Sequence, residues 1–141
     1  PLIIMHMLGS PRTMQEKPQY DDVVGDVRSF LSERARFAES SGIHRENIIL
    51  DPGIGFGKTT EHNLALLGRL REIVDLGYLG LVGASRKSFI GQLAAAPVGD
   101  RLAGSLACAI RAVDLGAQIV RVHDVGPTRQ ALAVAAAISG H

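Results

Sequence analysis

Hydrophobic positions along the 141-residue chain fall into short continuous runs, separated by stretches with helical periodicity. Leu2–His6 is an apolar run of strand length. Gly9–Tyr20 is polar and contains proline, which predicts a loop; Pro11, Arg12, Thr13 and Met14 belong to that solvated connection. Over Asp21–Ser41, Val23, Val24, Val27, Phe30, Leu31, Ala35 and Ala38 share one face at helix period, and Gly42 is placed to close the helix. Ile48–Leu50 reads as a second buried strand. Glu61–Leu76 reads as a helix with Leu66, Leu67, Leu70, Ile73 and Val74 inward and Gly77 at its end. Leu79–Gly83 is a third strand. Ser85–Leu93 and Asp100–Leu115 are two further helices, the latter stopped by Gly116. Gln118–Val122 is a fourth strand, and the alanine-rich Thr128–Ile138 a last helix.

The order is therefore strand-helix four times over, with an extra helical turn after the third strand. Strands apolar throughout, alternating with helices, imply a parallel sheet covered by helices. Two α/β architectures fit: a doubly wound open sheet, or four βα units of a (β/α)8 TIM barrel. A complete barrel takes about 250 residues, so four units would be half of one.

Composition narrows the function. Hydrophobic residues make up 46% of the chain, enough for a core, and the length suits a single domain over residues 1–141. The net charge is +1, with Lys and Arg spread along the sequence. This leaves neither a basic stripe for nucleic acid nor a polybasic patch for a membrane surface. Apolar runs such as Ala131–Ile138 fall far short of the roughly 20 residues that span a bilayer. The single cysteine, Cys108, permits no internal disulfide and suits a reducing, cytoplasmic setting. Between Ala107 and Ala109 it reads as a small packing residue rather than a nucleophile. The chain opens Pro1-Leu2-Ile3-Ile4-Met5, straight into a strand, with no leader pattern and no initiator methionine; a fragment, engineered or processed, is the expectation.

One stretch, Leu50–Thr60 (LDPGIGFGKTT), imitates a nucleotide-binding loop. A P-loop requires a glycine, four residues, then Gly-Lys-Ser/Thr. Counting back from Gly57-Lys58-Thr59, the first-glycine position holds Pro52, which has no N–H to offer a phosphate. The informative residue is Asp51, an acid at the carboxyl end of a buried strand.

The carboxyl ends of parallel strands share one rim, where such folds place their sites. The four strands deliver Met5-His6-Met7, then Asp51, then Gly83 through Ser88, then Arg121-Val122-His123-Asp124. Asp51 could accept two in-plane hydrogen bonds from the amide N–H and amino group of a heterocycle, or simply cap the Pro52-Gly53 turn; residue type alone leaves both open. Arg121 and Lys87 are cations aimed at the same rim, and strand alternation puts Arg121 and His123 on one side. Together they would attract a phosphate or pyrophosphate, against the plainer alternative of an ion pair for Arg121. Ser85 and Ser88 sit where a helix start favours an anion or a cap. Met5 and Phe56 could flank a flat ring or pack internally. His6, His44, His62, His123 and His141 show no zinc-ligand spacing, and no GxSxG elbow is present.

These segments resemble dihydropteroate synthase. Met5-His6-Met7, Asp51-Pro52-Gly53-Ile54-Gly55-Phe56-Gly57-Lys58, Ser85-Arg86-Lys87-Ser88 and Arg121-Val122-His123-Asp124-Val125 occur in that family's order over essentially the whole chain. The resemblance covers strands five to eight, the carboxyl half of the family's barrel. It implies a folate-biosynthesis transferase. That enzyme condenses p-aminobenzoate with 6-hydroxymethyl-7,8-dihydropterin pyrophosphate, giving 7,8-dihydropteroate and pyrophosphate, with sulfonamides competing as aminobenzoate mimics. It implies that Asp51 holds the pterin N–H and amino edge, and that Lys87 contacts the pterin carbonyl and ring nitrogen. Arg121 would stack on the pterin face and, with His123, hold the pyrophosphate. Met5 and Gly83 would line the pterin slot. Phe56 and Ser88 would frame the aminobenzoate, with Ser85 and Arg86 in the same substrate-binding segment. Mg²⁺ would enter with the pyrophosphate, with no metal ligand in this half.

The family's amino-terminal half, with its mobile loops, has no counterpart in the chain. Homo-oligomerisation, or docking with a missing amino-terminal half, is therefore expected, with weak or no turnover by the chain alone. Two alternatives are a pterin-binding methyltransferase using methyltetrahydrofolate and a non-catalytic half-barrel. Ser85-Arg86-Lys87-Ser88 beside Arg121-x-His123 favours the pyrophosphate substrate over the first.

Overall fold

The computed structural model describes residues 1–9 and 18–140. Of the predicted loop Gly9–Tyr20, residues 10–17 lie outside the described residues, as does His141. Four strands, β1 (Leu2–Met5), β2 (Ile48–Asp51), β3 (Leu79–Val82) and β4 (Ile119–Val120), form one sheet in chain order. All neighbours are parallel, with Met5 beside Asp51, Leu50 beside Gly80 and Val82 beside Val120. Sequential order without reversal is the pattern of a barrel rather than of a doubly wound sheet.

Among the described residues six α-helices cross between and follow the strands: α1 (Val23–Ser40), α2 (Thr60–Gly68), α3 (Arg71–Val74), α4 (Ser88–Ala94), α5 (Leu102–Asp114) and α6 (Val125–Ser139). Helix α1 shows why the sequence folds this way. Val23, Val24, Val27, Leu31, Ala35 and Ala38 are all buried on its inner stripe. Asp22 caps the start by accepting the Val24 N–H at 3.2 Å. At the far end the Gly42 N–H bonds the Glu39 carbonyl and the Ile43 N–H bonds that of Ala38, with Gly42 at φ +91°. This is a Schellman stop, which the Cβ-free backbone of glycine favours. Phe30, expected on the inner stripe, is instead 37% exposed, its ring edge-on to His6 at 5.1 Å.

The predicted helix Glu61–Leu76 is two helices. Arg69 leaves helical geometry at φ −107°, ψ 24°. Its guanidinium is tied to Glu72 at 2.7 Å and to Asp22 at 2.9 Å, so the chain turns there while Leu70 stays buried. The helix expected from Ser85 starts at Ser88, because Arg86 adopts φ +59°. The helix expected from Asp100 starts at Leu102, after a 3-10 turn at Val98–Asp100, and the last one begins early, at Val125. Strand β4 has two residues, yet its hydrogen bonds run wider: Gln118 N–H to Gly80 O at 3.1 Å and Arg121 N–H to Val82 O at 2.9 Å.

The two faces of the sheet differ. Ile48, Leu50 and Val82 pack outward with Leu31, Leu66, Leu70 and Ile73 into the main core. Full burial of each such side chain stabilises the fold by about 1.5–3 kcal/mol. Ile3, Ile49, Leu79 and Leu81 take the other face, where Ile3 is 50% and Leu79 38% exposed. That face carries the strand ends discussed below. Among the described residues no helix is long and apolar enough to cross a membrane.

Gly53→Ala and Gly68→Ala should move stability in opposite directions. Gly53 lies at φ +70°, and a Cβ there would stand 1.9 Å from the His6 carbonyl oxygen. The substitution should cost at least about 2 kcal/mol, read as a lowered urea midpoint. Gly68, helical and open, should gain up to about 1 kcal/mol as alanine.

Candidate functional site

The site begins with a carboxylate that has no exposure to water. Asp51 ends β2, buried at 0% relative exposure. Its Oδ1 accepts the Gly53 N–H at 2.8 Å, a bond that the left-handed Gly53 makes possible. Its Oδ2 stands 3.0 Å from Arg121 Nη2, in an ion pair whose alignment gives no hydrogen bond; among the described residues Oδ2 is thus a buried acceptor without a hydrogen-bond partner. Leaving such an atom unsatisfied costs about 1–3 kcal/mol, and sites that bind ligands are where folds tolerate it.

Arg121 follows β4 and reaches back across β3. Its guanidinium lies against Gly83, where an added Cβ would come within 2.7 Å of Nη2. Glycine at 83 therefore clears the approach of Arg121 to Asp51. Lys87 precedes α4. Its ammonium donates to the Ile54 carbonyl and sits 4.3 Å from the centre of the Phe56 ring. Burial lowers Lys87 to about 8; the negative Asp51 opposes the shift and the positive Arg121 adds to it. Met5 is the register partner of Asp51 on β1. Met5, Asp51, Phe56, Gly83, Lys87 and Arg121 thus gather around one carboxylate.

Ser85 and His123 form a neighbouring pair. The Ser85 hydroxyl accepts the His123 backbone N–H at 3.1 Å and lies 3.0 Å from His123 Nδ1. With Nδ1 so engaged, Nε2 is turned to other partners. Arg86 and Ser88 are not drawn into the cluster. The Arg86 guanidinium pairs with Asp124, with Nε at 3.0 Å, and this bond holds the Asp124 carboxyl below its ordinary range. Ser88 is exposed and lines a separate polar cleft of about 510 Å³ with Lys58, Thr59 and Asn63.

The sequence reading passed over Lys58 and His6 as a pair. Lys58 is only 4% exposed, and its ammonium meets Phe56 O at 2.9 Å and His6 Nδ1 at 3.0 Å. Burial, with Lys58 adding to it, lowers His6 to about 4. Burial lowers Lys58 to about 8, with Asp51 opposing and Lys87 adding to the shift. The signal was present in Gly57-Lys58-Thr59, a lysine inside an apolar-flanked glycine loop. Asn63, also buried, takes the Gly55 N–H on its Oδ1 at 2.8 Å. Among the described residues no three His, Cys, Asp or Glu side chains converge as metal ligands.

The arrangement offers one unsatisfied carboxylate oxygen, flanking cations and an aromatic ring, at the rim of a parallel half-barrel. A family model described as "Pterin binding enzyme" matches residues 1–123. The chain belongs to the pterin-binding enzyme family. Within it the resemblance is to dihydropteroate synthases. The dihydropteroate synthase of Escherichia coli K12 is 50% identical over 134 residues, covering 95% of this chain and 48% of that protein. The structure of the Stenotrophomonas maltophilia enzyme, with imidazole bound in its active site, superposes at a TM-score of 0.95 with 45% identity. It covers 99% of this chain and 53% of that one. The Xanthomonas albilineans enzyme in complex with 7,8-dihydropteroate matches at 0.91 with 42% identity, over 100% of this chain and 51% of its own. The chain spans about half the length of the curated relatives it matches, and its four strands correspond to half of a TIM barrel.

The buried groups fix a pH dependence. His6 titrates near 4 folded and near 6.5 unfolded. Stability from its neutral form is full above 6.5 and is lost as pH falls through about 4. Lys58 and Lys87 are likewise depressed, to about 8 from 10.5, so stability should also rise between about 8 and 10.5. A proton NMR titration should place His6 near 4, and a midpoint above 6 would contradict its burial against Lys58.

Proposed function

We propose that this chain carries the pterin-binding part of a dihydropteroate synthase. The reaction joins p-aminobenzoate to 6-hydroxymethyl-7,8-dihydropterin pyrophosphate and releases pyrophosphate. The observation that carries this reading is Asp51 Oδ2, buried beside Arg121 and without a hydrogen bond from any described residue. A pterin presents an amide N–H next to an amino group, a donor pair that a fixed carboxylate can satisfy in one plane. The bond from Gly53 to Oδ1 sets that plane before ligand arrives.

The remaining groups take roles that their positions allow. The Lys87 ammonium, beside the Phe56 ring, is placed to donate to the pterin carbonyl and ring nitrogen. The planar Arg121 guanidinium, spread over Gly83, offers a stacking surface to the ring and positive charge to the leaving group. Held through Nδ1 by Ser85, His123 can direct Nε2 to a pyrophosphate oxygen. The C–O bond at the pterin methylene breaks, pyrophosphate leaves with the electron pair, and the arylamine nitrogen attacks the carbon and then loses a proton. Arg121 and His123 offset the charge that grows on the leaving oxygens. No side-chain nucleophile is needed. Phe56 and Ser88 are assigned to the aminobenzoate side, where sulfonamides would compete. Mg²⁺ is assigned to the pyrophosphate as part of the substrate; the described residues build no cage for it, and no step here runs through it.

Exposed Ile3 and Leu79 on the concave face support a second part of the proposal, that this face is covered by a second chain or by further barrel strands. Sedimentation velocity should then show self-association of the isolated chain; a stable monomer at high concentration would count against it.

The functional test is calorimetric titration of 6-hydroxymethylpterin pyrophosphate, with Mg²⁺, into the wild type and Asp51→Asn. The wild type should bind saturably. Asp51→Asn should lose at least about 100-fold, since a hydrogen-bonded charged acceptor becomes an amide that presents a donor to a donor. Equal affinity in both proteins would sink the assignment of Asp51.

A further inference from the structure

Lys58 presents a problem that the proposed reaction does not solve. It is a lysine with 4% exposure, and among the described residues it forms no salt bridge with a carboxylate, although it feels the charges of Asp51 and Lys87. Removing an ammonium from water is costly unless strong partners replace the solvent. Its two partners are informative. One is the carbonyl of Phe56, at 2.9 Å. The other is His6 Nδ1, at 3.0 Å. An ammonium has donors only, so His6 Nδ1 must be the acceptor, and the ring is neutral with its proton on Nε2. The depressed His6 value agrees with this. At neutral pH Lys58 itself remains protonated, since it titrates near 8.

The link spans the structure. His6 follows β1, and its ring is packed by Phe30 of α1 and by Tyr20. Phe56 lies in the glycine loop after β2, and its ring meets the Lys87 ammonium. Lys58 thus joins the loop that carries the aromatic wall to the end of the neighbouring strand. Tyr20 reinforces the same loop by donating to Gly57 O at 2.8 Å.

We propose that Lys58 is a positioning residue: through Phe56 O and His6 Nδ1 it clamps the 53–57 loop, and so fixes the Phe56 ring that borders the second substrate beside Lys87. The inference rests on the proposed pterin site for its functional consequence, but not for the clamp itself. Lys58 acts on the ring through the Phe56 carbonyl and His6 Nδ1. Its loss therefore loosens recognition of the aryl part of a ligand while leaving the Asp51 acceptor in place.

Two measurements on Lys58→Met and Lys58→Arg test this. The first is backbone amide exchange, followed residue by residue in the ligand-free chain. Lys58→Met should speed exchange at Gly53, Gly55 and Phe56 about 10-fold while α1 and β3 amides keep their rates, and Lys58→Arg should restore much of the protection. Unchanged loop exchange overturns the clamp, and so does uniform acceleration across the sheet, which would mark Lys58 as a general stability residue. The second is binding of 7,8-dihydropteroate, which has both rings, against 6-hydroxymethylpterin, which has one. Lys58→Met should weaken the first about 10-fold and the second less than about 3-fold, whereas Asp51→Asn should weaken both. Equal losses in Lys58→Met overturn the role assigned to Phe56. A wild type that binds neither ligand refutes the pterin site, and the exchange data still decide the clamp.

Discussion

A carboxylate without water dominates this structure. Asp51 sits at the end of a strand buried on both sides, where an isolated charge would be prohibitive. The surroundings answer that demand group by group. Gly53 turns back to donate to one oxygen, and Arg121 crosses β3 to face the other. Gly83 has no side chain to obstruct that crossing. Lys87 contributes a second positive charge from the start of α4. Among the described residues the compensation is incomplete, because none donates a hydrogen bond to Oδ2.

The parallel sheet makes such an atom possible. Its outer face, with Ile48, Leu50 and Val82, is closed by helices and supplies the hydrophobic stability. Its other face bears Met5, Asp51, Gly83 and Arg121 near the strand ends and apolar side chains below them. Strand alternation thus separates the two duties residue by residue. Polar groups can collect on one face at little cost to the core, because the core lies on the other. The same separation puts Ile3 and Leu79, 50% and 38% exposed, on the face that carries the site.

Much of this was legible in the sequence, because runs and periods record burial directly. The four strands, the inner stripe of α1 and the stops at Gly42, Gly77 and Gly116 all follow from local pattern. The failures share a cause. The break at Arg69 depends on Asp22, 47 residues away. The late start of α4 follows from a left-handed Arg86 whose N–H is held by Ser105 and whose carbonyl is held by Arg101. Asp51 and Arg121 were each visible as candidates, but their 3.0 Å approach was not. The pairing of Lys58 with His6 joins residues 52 apart and leaves no periodic trace. Local pattern reports which face is buried, whereas the partner of a buried charge is a tertiary fact.

The resemblance of Leu50–Thr60 to a P-loop is resolved by the same accounting. A phosphate cradle works by turning backbone N–H groups toward an anion. Here three of the loop's N–H groups are engaged inside the protein: Gly53 donates to Asp51, Gly55 to Asn63 and Phe56 to the Gly53 carbonyl. The carbonyls of Ile54 and Phe56 instead receive the ammonium groups of Lys87 and Lys58, and that of Gly57 receives the Tyr20 hydroxyl. The loop has the opposite polarity to a P-loop, since it presents oxygen to cations. Lys58 from within the loop and Lys87 from before α4 are consequently held by its carbonyls. One of them, Lys87, keeps its charge beside Asp51, where a ring with both donors and acceptors could lie between the two. A glycine-rich sequence ending in Gly-Lys-Thr here turns carbonyls, rather than N–H groups, toward neighbouring charged groups, and the direction of the peptide groups separates it from a P-loop.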